Sequence, residues 1–231
     1  MPVSEVTWPE AWRIIASRYP PIALFERLSD NPALWEVLIE LEQATNPRVR
    51  NEVGEISLVP AERRVTGNNA SWVMAPFTHV NKNGSRYSDG AYGVYYAAQS
   101  LDTAIRETGY HFSRFAEDSK DPPRREDMRV LLGTIKATLH DVSKEPPGVR
   151  MAILDSKSYA RSRPFAADLR NNKNSDGLTY PSVRHSAGNC VAAFWPNVVG
   201  IPIQERHLKY EWDGKRFSRY FDFKLDAWYS V

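Results

Sequence analysis

One cysteine, Cys190, stands in 231 residues. That excludes an intramolecular disulfide framework, every Cys-x-x-Cys metal or redox motif and any cluster held by several thiolates. Charge of one sign is lacking too. Thirty Lys plus Arg against 28 Asp plus Glu leave a net charge of +2, so nothing draws the whole chain to nucleic acid or an anionic membrane, and any anion site must be local. No apolar run approaches the roughly eighteen residues of a membrane helix. Met1 to Ser17 carries Glu5 and Glu10 where a signal peptide needs a basic head and an apolar stretch, which predicts a cytoplasmic location. Gly-x-Gly-x-x-Gly, Gly-x-x-x-x-Gly-Lys-Ser/Thr and His-Glu-x-x-His are all missing. Ser186-Ala-Gly188 lacks the leading glycine of a nucleophile elbow, because position 184 is Arg. Histidines stand at 79, 111, 140, 185 and 207, and only Glu107 with His111 has the i, i+4 spacing that starts a metal site. Two such residues on a helix are more often neighbours than ligands, and no metal is expected. Cys190, followed by Val191-Ala-Ala-Phe194, reads as a packed strand thiol.

What is present suffices for one domain: 42% hydrophobic, 25% charged and 12% aromatic residues. Most of the aromatics belong to the core, leaving some to stack on a flat ligand. The first fifty residues read as helical, with Pro9 and Pro32 at first-turn positions and Leu34, Val37, Leu38 and Leu41 at helical spacing. Val53 to Asn83, punctuated by glycine and proline, reads as irregular chain with short strands. Gly93 to Ala98 is a buried strand. A helix follows, capped by Ser100, with a stripe of Leu101, Ala104, Ile105, Thr108, Phe112 and Phe115. Ala116 to Asp127 reads as an exposed loop, Met128 to Val142 as a strand, and Ser158 to Asn172 as a helix. Leu178 to Val183 and Cys190 to Trp195 read as paired strands, and His207 to Trp212 with Lys215 to Phe223 as a hairpin around Asp213-Gly214. This order predicts an α+β fold with mixed or antiparallel sheets and flanking helices. It divides into a helical N-terminal extension, 1–20, and a single domain, 21–231.

Three regions place polar residues where packing does not ask for them. Arg86 lies on the loop Asn83-Gly-Ser-Arg86-Tyr87-Ser-Asp-Gly90 at a strand entrance, where it is either a phosphate-binding fork or a surface arginine. Glu107 shares a helix face with Thr103, Ala104 and His111, and is either functional or a partner of Arg106 or Arg114. Ser182, in Tyr180-Pro-Ser182-Val-Arg184-His185, is either functional or a strand-end hydroxyl bonded to backbone.

In order, Gly84-Ser-Arg86-Tyr87, Gly93-Val-Tyr95-Tyr-Ala97, Thr103-Ala-Ile-Arg-Glu107 and Tyr180-Pro-Ser182-Val-Arg184 resemble the RES domain family, as does Phe25-Glu-Arg27-Leu upstream. The resemblance spans about residues 20 to 213, and its most specific block runs from Arg86 to Glu107. It implies an ADP-ribosyltransferase-like fold and an NAD-consuming enzyme that serves as the toxin of a bacterial toxin–antitoxin pair. Carried over, Arg27 and Arg86 bind the pyrophosphate, with Tyr87 in the NAD-binding set, and Tyr95 stacks near the nicotinamide or its ribose. Glu107 bonds the ribose and stabilises the cation that grows as nicotinamide leaves, and Ser182 orients the substrate or Glu107. The segment between Arg27 and Arg86 is longer than in the compact family pattern, which leaves Arg50, Arg63 and Arg64 as substitutes for Arg27. The implied acceptor of ADP-ribose is water or inorganic phosphate. The alternatives are an ADP-ribosyltransferase acting on a macromolecule and an inactive binding module. The implied partner is an Xre-like antitoxin with a helix-turn-helix, which leaves no DNA contact to this chain.

Overall fold

The computed structural model describes residues 1–19, 26, 29–45 and 53–231, with side chains undescribed at 42–45. Its frame is an eight-stranded sheet. In chain order the strands are β1 (Val3–Ala16), β2 (Tyr95–Ala98), β3 (Arg124–Asp141), β4 (Gly177–Pro181), β5 (Asn189–Ala193), β6 (Ile203–Trp212), β7 (Phe217–Asp222) and β8 (Ala227–Ser230). The order across the sheet is β1-β2-β5-β4-β3-β6-β7-β8, and because β1 also pairs with β3, the first five strands close a circuit. Only β3 and β4 run parallel. Among the described residues the α-helices with described bounds are α1 (Trp35–Thr45), α2 (Ala70–Thr78), α3 (Leu101–Asp118), α4 (Pro147–Ile153) and α5 (Ser162–Asn172). The α+β class with flanking helices therefore holds.

The start of the chain is the main correction. Val3–Ala16 is not a helical extension but a long strand, antiparallel to β3 from Val3↔His140 to Ala16↔Met128. Its buried residues, Val6, Trp8, Ala11 and Ile14, sit at spacings of two, three and three. A register shift between Trp8 and Ala11, at Pro9-Glu10, stretches one step to three residues, and Ile14 is buried from the opposite face, so the run imitates a helical stripe. Proline has no amide hydrogen to give a ladder, and a bulge is where a strand accommodates it. Downstream of Pro32 the expected helix forms, as a 3-10 turn at Pro32–Leu34 capped by the Asn31 side chain and continued by α1, but it packs through Trp35 and Ile39, while Leu34, Val37 and Leu41 of the expected stripe are exposed.

The stretch expected to be irregular contains α2, which carries Pro76 internally and buries Val73, Met74 and Phe77. Gly93 packs against it so closely that a Cβ there would lie 2.0 Å from the Pro76 carbonyl oxygen. In α3 the Ser100 hydroxyl accepts from the Thr103 amide at 3.3 Å, and Ala104, Ile105 and Phe112 are buried as expected. Phe115 is instead exposed. The expected loop 116–127 is short, since α3 runs to Asp118 and β3 starts at Arg124. The terminal hairpin forms as β6 and β7, with the Asp213 carboxylate accepting from the amides of Lys215 and Arg216. β8 extends it, beyond what the pattern predicted. Trp35, Tyr87, Tyr95, Phe194 and Tyr210 are among the largest fully buried side chains, so aromatics do fill the core.

Candidate active site

Glu107 projects from the second turn of α3 toward the turn that joins β4 to β5. There the Ser182 hydroxyl donates to Glu107 Oε1 at 2.6 Å and the Val183 amide donates to the same oxygen at 3.1 Å. Ser182 Oγ in turn accepts from the amides of Arg184, at 3.1 Å, and His185, at 2.9 Å. The serine is thus both a strand-end hydroxyl and the carboxylate's partner. Neither Arg106 nor Arg114 pairs with Glu107, because Arg106 goes to Asp102 and Arg114 to Glu117 and Asp118. Arg184 bonds the Ser156 carbonyl at 2.8 Å and lays its guanidinium over the Tyr110 ring at 3.4 Å.

Arg86 is not a surface arginine. It is 8% exposed, and its Nη1 donates to the carbonyls of Asp155, at 2.8 Å, and Ile153, at 3.3 Å. Its guanidinium stacks on Tyr159 at 4.8 Å. Gly84 shapes the approach: its φ is 73° and a Cβ would sit 2.4 Å from the Ser88 carbonyl oxygen, so only glycine closes this turn unstrained. Tyr87 is fully buried, edge-on to Tyr180 with ring centroids 5.0 Å apart, and its hydroxyl is without a hydrogen-bond partner among the described residues. It stands behind the site rather than in its wall.

Glu107 and Arg86 line one cavity of ≈ 230 Å³, together with Arg13, Tyr96, Trp12 and His111. Three of these were not singled out for this site by their sequence context. Arg13 reaches it from β1, where its Nη1 donates to the Tyr96 carbonyl at 3.0 Å and its guanidinium lies 4.5 Å over the Tyr95 ring. Burial pulls its pKa below the ordinary arginine value. Neither Arg13 nor Arg86 meets a carboxylate within ion-pair distance among the described residues, so both keep their charge available for an anion in the cavity. Tyr95, the expected stacking residue, is buried in the core, and its neighbour Tyr96 takes the wall position. The Tyr96 hydroxyl contacts Ser85 Oγ at 2.8 Å and accepts from the Tyr87 amide, and burial pushes its pKa up to about 12. Apolar wall is supplied by Ile14, Ala97, Ala98 and Ala104.

The other arginines considered for the anion do not reach it. Arg63 pairs with Asp176 at 2.7 Å, and Arg64 is held by Glu36 and the carbonyls of Val59 and Pro32. Arg27 and Arg50 lie outside the described residues. Cys190 touches the cavity, but burial raises its thiol well above the ordinary range, as suits a packing residue. No third metal-ligating side chain joins Glu107 and His111 among the described residues.

The sequence model of the RES domain matches residues 61–213, which holds Arg86, Glu107 and Ser182. The chain belongs to the RES domain family. Among curated proteins, the one described as "Uncharacterized protein y4oC" from Sinorhizobium fredii (strain NBRC 101917 / NGR234) is 29% identical over 214 residues, covering 93% of this chain and 87% of its own. Among solved structures, a chain of the M. tuberculosis MbcT-MbcA toxin-antitoxin complex aligns with a TM-score of 0.45 and 10% identity, over 92% of this chain and 87% of that one. Arg13 lies N-terminal to the matched RES region and joins its cavity only through the pairing of β1 with β2 and β3. Among the described residues no helix is long and apolar enough to cross a membrane.

Proposed function

We propose that this RES protein cleaves the nicotinamide–ribose bond of NAD and passes the ADP-ribose to water or inorganic phosphate, acting in the cytoplasm as the toxin of a toxin–antitoxin pair. The observation that carries the proposal is the 2.6 Å hydrogen bond by which Ser182 fixes Glu107, a carboxylate lining the same cavity as Arg13 and Arg86. A carboxylate oriented by two donors, in one cavity with two arginines that pair with no carboxylate among the described residues, suits a substrate with a cation-forming centre at one end and a pyrophosphate at the other. The volume is small for a whole dinucleotide, so the reacting end enters and the adenosine extends outward.

Nicotinamide leaves with the electron pair of the glycosidic bond and needs no general acid, because it is cationic before departure and neutral after it. Charge then grows on the ribose, beside Glu107. Ser182 and the Val183 amide hold that carboxylate in place, Arg13 and Arg86 take the phosphates, and Tyr96 with Trp12 offers flat faces to the ring. Such an activity needs restraint. The family resemblance implies an antitoxin with a helix-turn-helix, and an acidic segment of it would suit the two arginines.

Purified protein incubated with NAD, with and without phosphate, is expected to yield nicotinamide with ADP-ribose or its phosphate, identified by mass. Expression alone is expected to arrest growth and deplete cellular NAD. A folded, soluble protein that leaves NAD intact in both settings refutes the reading.

A further inference from the structure

Glu107, Ser182 and the two arginines serve the substrate and the departing group, and the incoming acceptor has no partner among them. His111 sits one helical turn beyond Glu107 on α3, and both line the cavity. Its ring meets Tyr110 edge to face at 5.4 Å, and although protein surrounds the imidazole, part of the residue still reaches the surface, so it meets the cavity and the solvent at once.

The other protic groups of this wall are committed. Tyr96, Tyr180 and Cys190 are pushed upward by burial and keep their protons at neutral pH. The Thr108 hydroxyl donates to the Ala104 carbonyl at 2.7 Å, and Ser182, the carboxylate's partner, gives its proton to Glu107. His111 is left as the wall group able to be neutral and basic.

We propose that His111 is the base that takes a proton from the water attacking the anomeric carbon, which makes it a catalytic residue for hydrolysis. The inference rests on the NAD-cleaving reading of the cavity. The groups facing the imidazole are Glu107 and Tyr110 on its own helix, Arg86 from the loop before β2 and Arg184 from the β4–β5 turn. Burial, above all, lowers its pKa; Glu107 opposes this and both arginines reinforce it, so the ring is unprotonated at neutral pH. As nicotinamide departs with the bonding pair, a lone pair of the water oxygen forms the new bond to carbon. The water's proton moves to an imidazole nitrogen and from there to solvent. No electron is gained or lost overall. A phosphate dianion already carries its nucleophilic charge and needs no such base, so the histidine separates the two acceptors.

The test uses the full chain and its His111→Gln variant, with melting temperature and NAD affinity measured alongside turnover from pH 5 to 9. Glutamine keeps polarity and length but cannot accept the proton at this pH. Hydrolysis is expected to fall about a hundredfold with KM nearly unchanged, in the range of a lost general base. The acid limb of the wild-type profile, set below the ordinary histidine value, is expected to vanish, while phosphorolysis in saturating phosphate stays within about threefold. If the glutamine variant does not fold, His111→Asn replaces it under the same criteria. Hydrolysis within threefold of wild type, or an acid limb that survives substitution, overturns the role of His111 alone. Wild-type turnover that requires phosphate overturns it as well. A wild type that leaves NAD intact overturns the cavity's reading together with it.

Discussion

Replacing Glu107 by glutamine removes one charge and almost nothing else. The amide oxygen can still accept from the Ser182 hydroxyl and the Val183 amide, which now bond Oε1 at 2.6 and 3.1 Å, so the side chain should keep its place. What disappears is the attraction between a carboxylate and the positive ribose of the transition state. Two unit charges about 4 Å apart interact by about 4 kcal/mol at an effective dielectric near 20, the value suited to a cavity open to water. Ground-state nicotinamide riboside is already cationic, and part of that attraction exists before reaction, so the rate should lose less than the whole. A fall in kcat of about a hundredfold to a thousandfold is expected, the scale seen when one preorganised stabiliser is removed. Ser182→Ala should lose less, about tenfold to a hundredfold, because it leaves the charge and takes away only one charge-assisted bond. The assay is nicotinamide release under saturating NAD, with melting temperatures to confirm that both variants fold. A Glu107→Gln enzyme within tenfold of wild type would remove electrostatic stabilisation by this carboxylate from the mechanism.

Arg13→Ala and Arg86→Ala should each raise KM for NAD more than they lower kcat, since a phosphate is present in ground and transition states alike; steady-state kinetics that lose kcat at constant KM would refute the assignment. Gly84→Ala should cost at least about 2 kcal/mol, and so lower the melting temperature by about 4–8 °C, because alanine resists φ of 73° and its Cβ would press on the Ser88 carbonyl. KM should rise in the same variant, as Arg86 lies two residues on, and an unchanged melting curve would count against the turn. Stability should decline as pH falls below about 6.5, the unfolded histidine value, because burial lowers the pKa of His111 and His140 in the folded state and the unfolded chain then binds more protons. Denaturant titrations of His140→Gln against wild type at pH 7.5 and 5.5 check this, with a smaller acid loss expected in the variant.

The sequence alone determined what depends on neighbours along the chain. The cap at Ser100 and the apolar stripe behind it specified α3, and with it the helix face that carries Glu107. The Asp213-Gly214 turn specified the β6–β7 hairpin, because its carboxylate satisfies the amides that follow. Arg86, Glu107 and Ser182 were legible because glycines, a helix face and a strand end mark their places locally. The tertiary structure decided whatever depends on which strand lies beside which. The apolar spacing before Ala16 suits a helix until β3 supplies a partner, when the shift at Pro9-Glu10 and burial on both faces account for it in a strand. Tyr95 and Tyr96 are adjacent and chemically alike, so only the pleat of β2 settles which one meets the cavity. Arg13 joins the site through a bond to a carbonyl 83 residues away. No local pattern encodes such a meeting, because the strands come together only when their apolar faces are buried against one another.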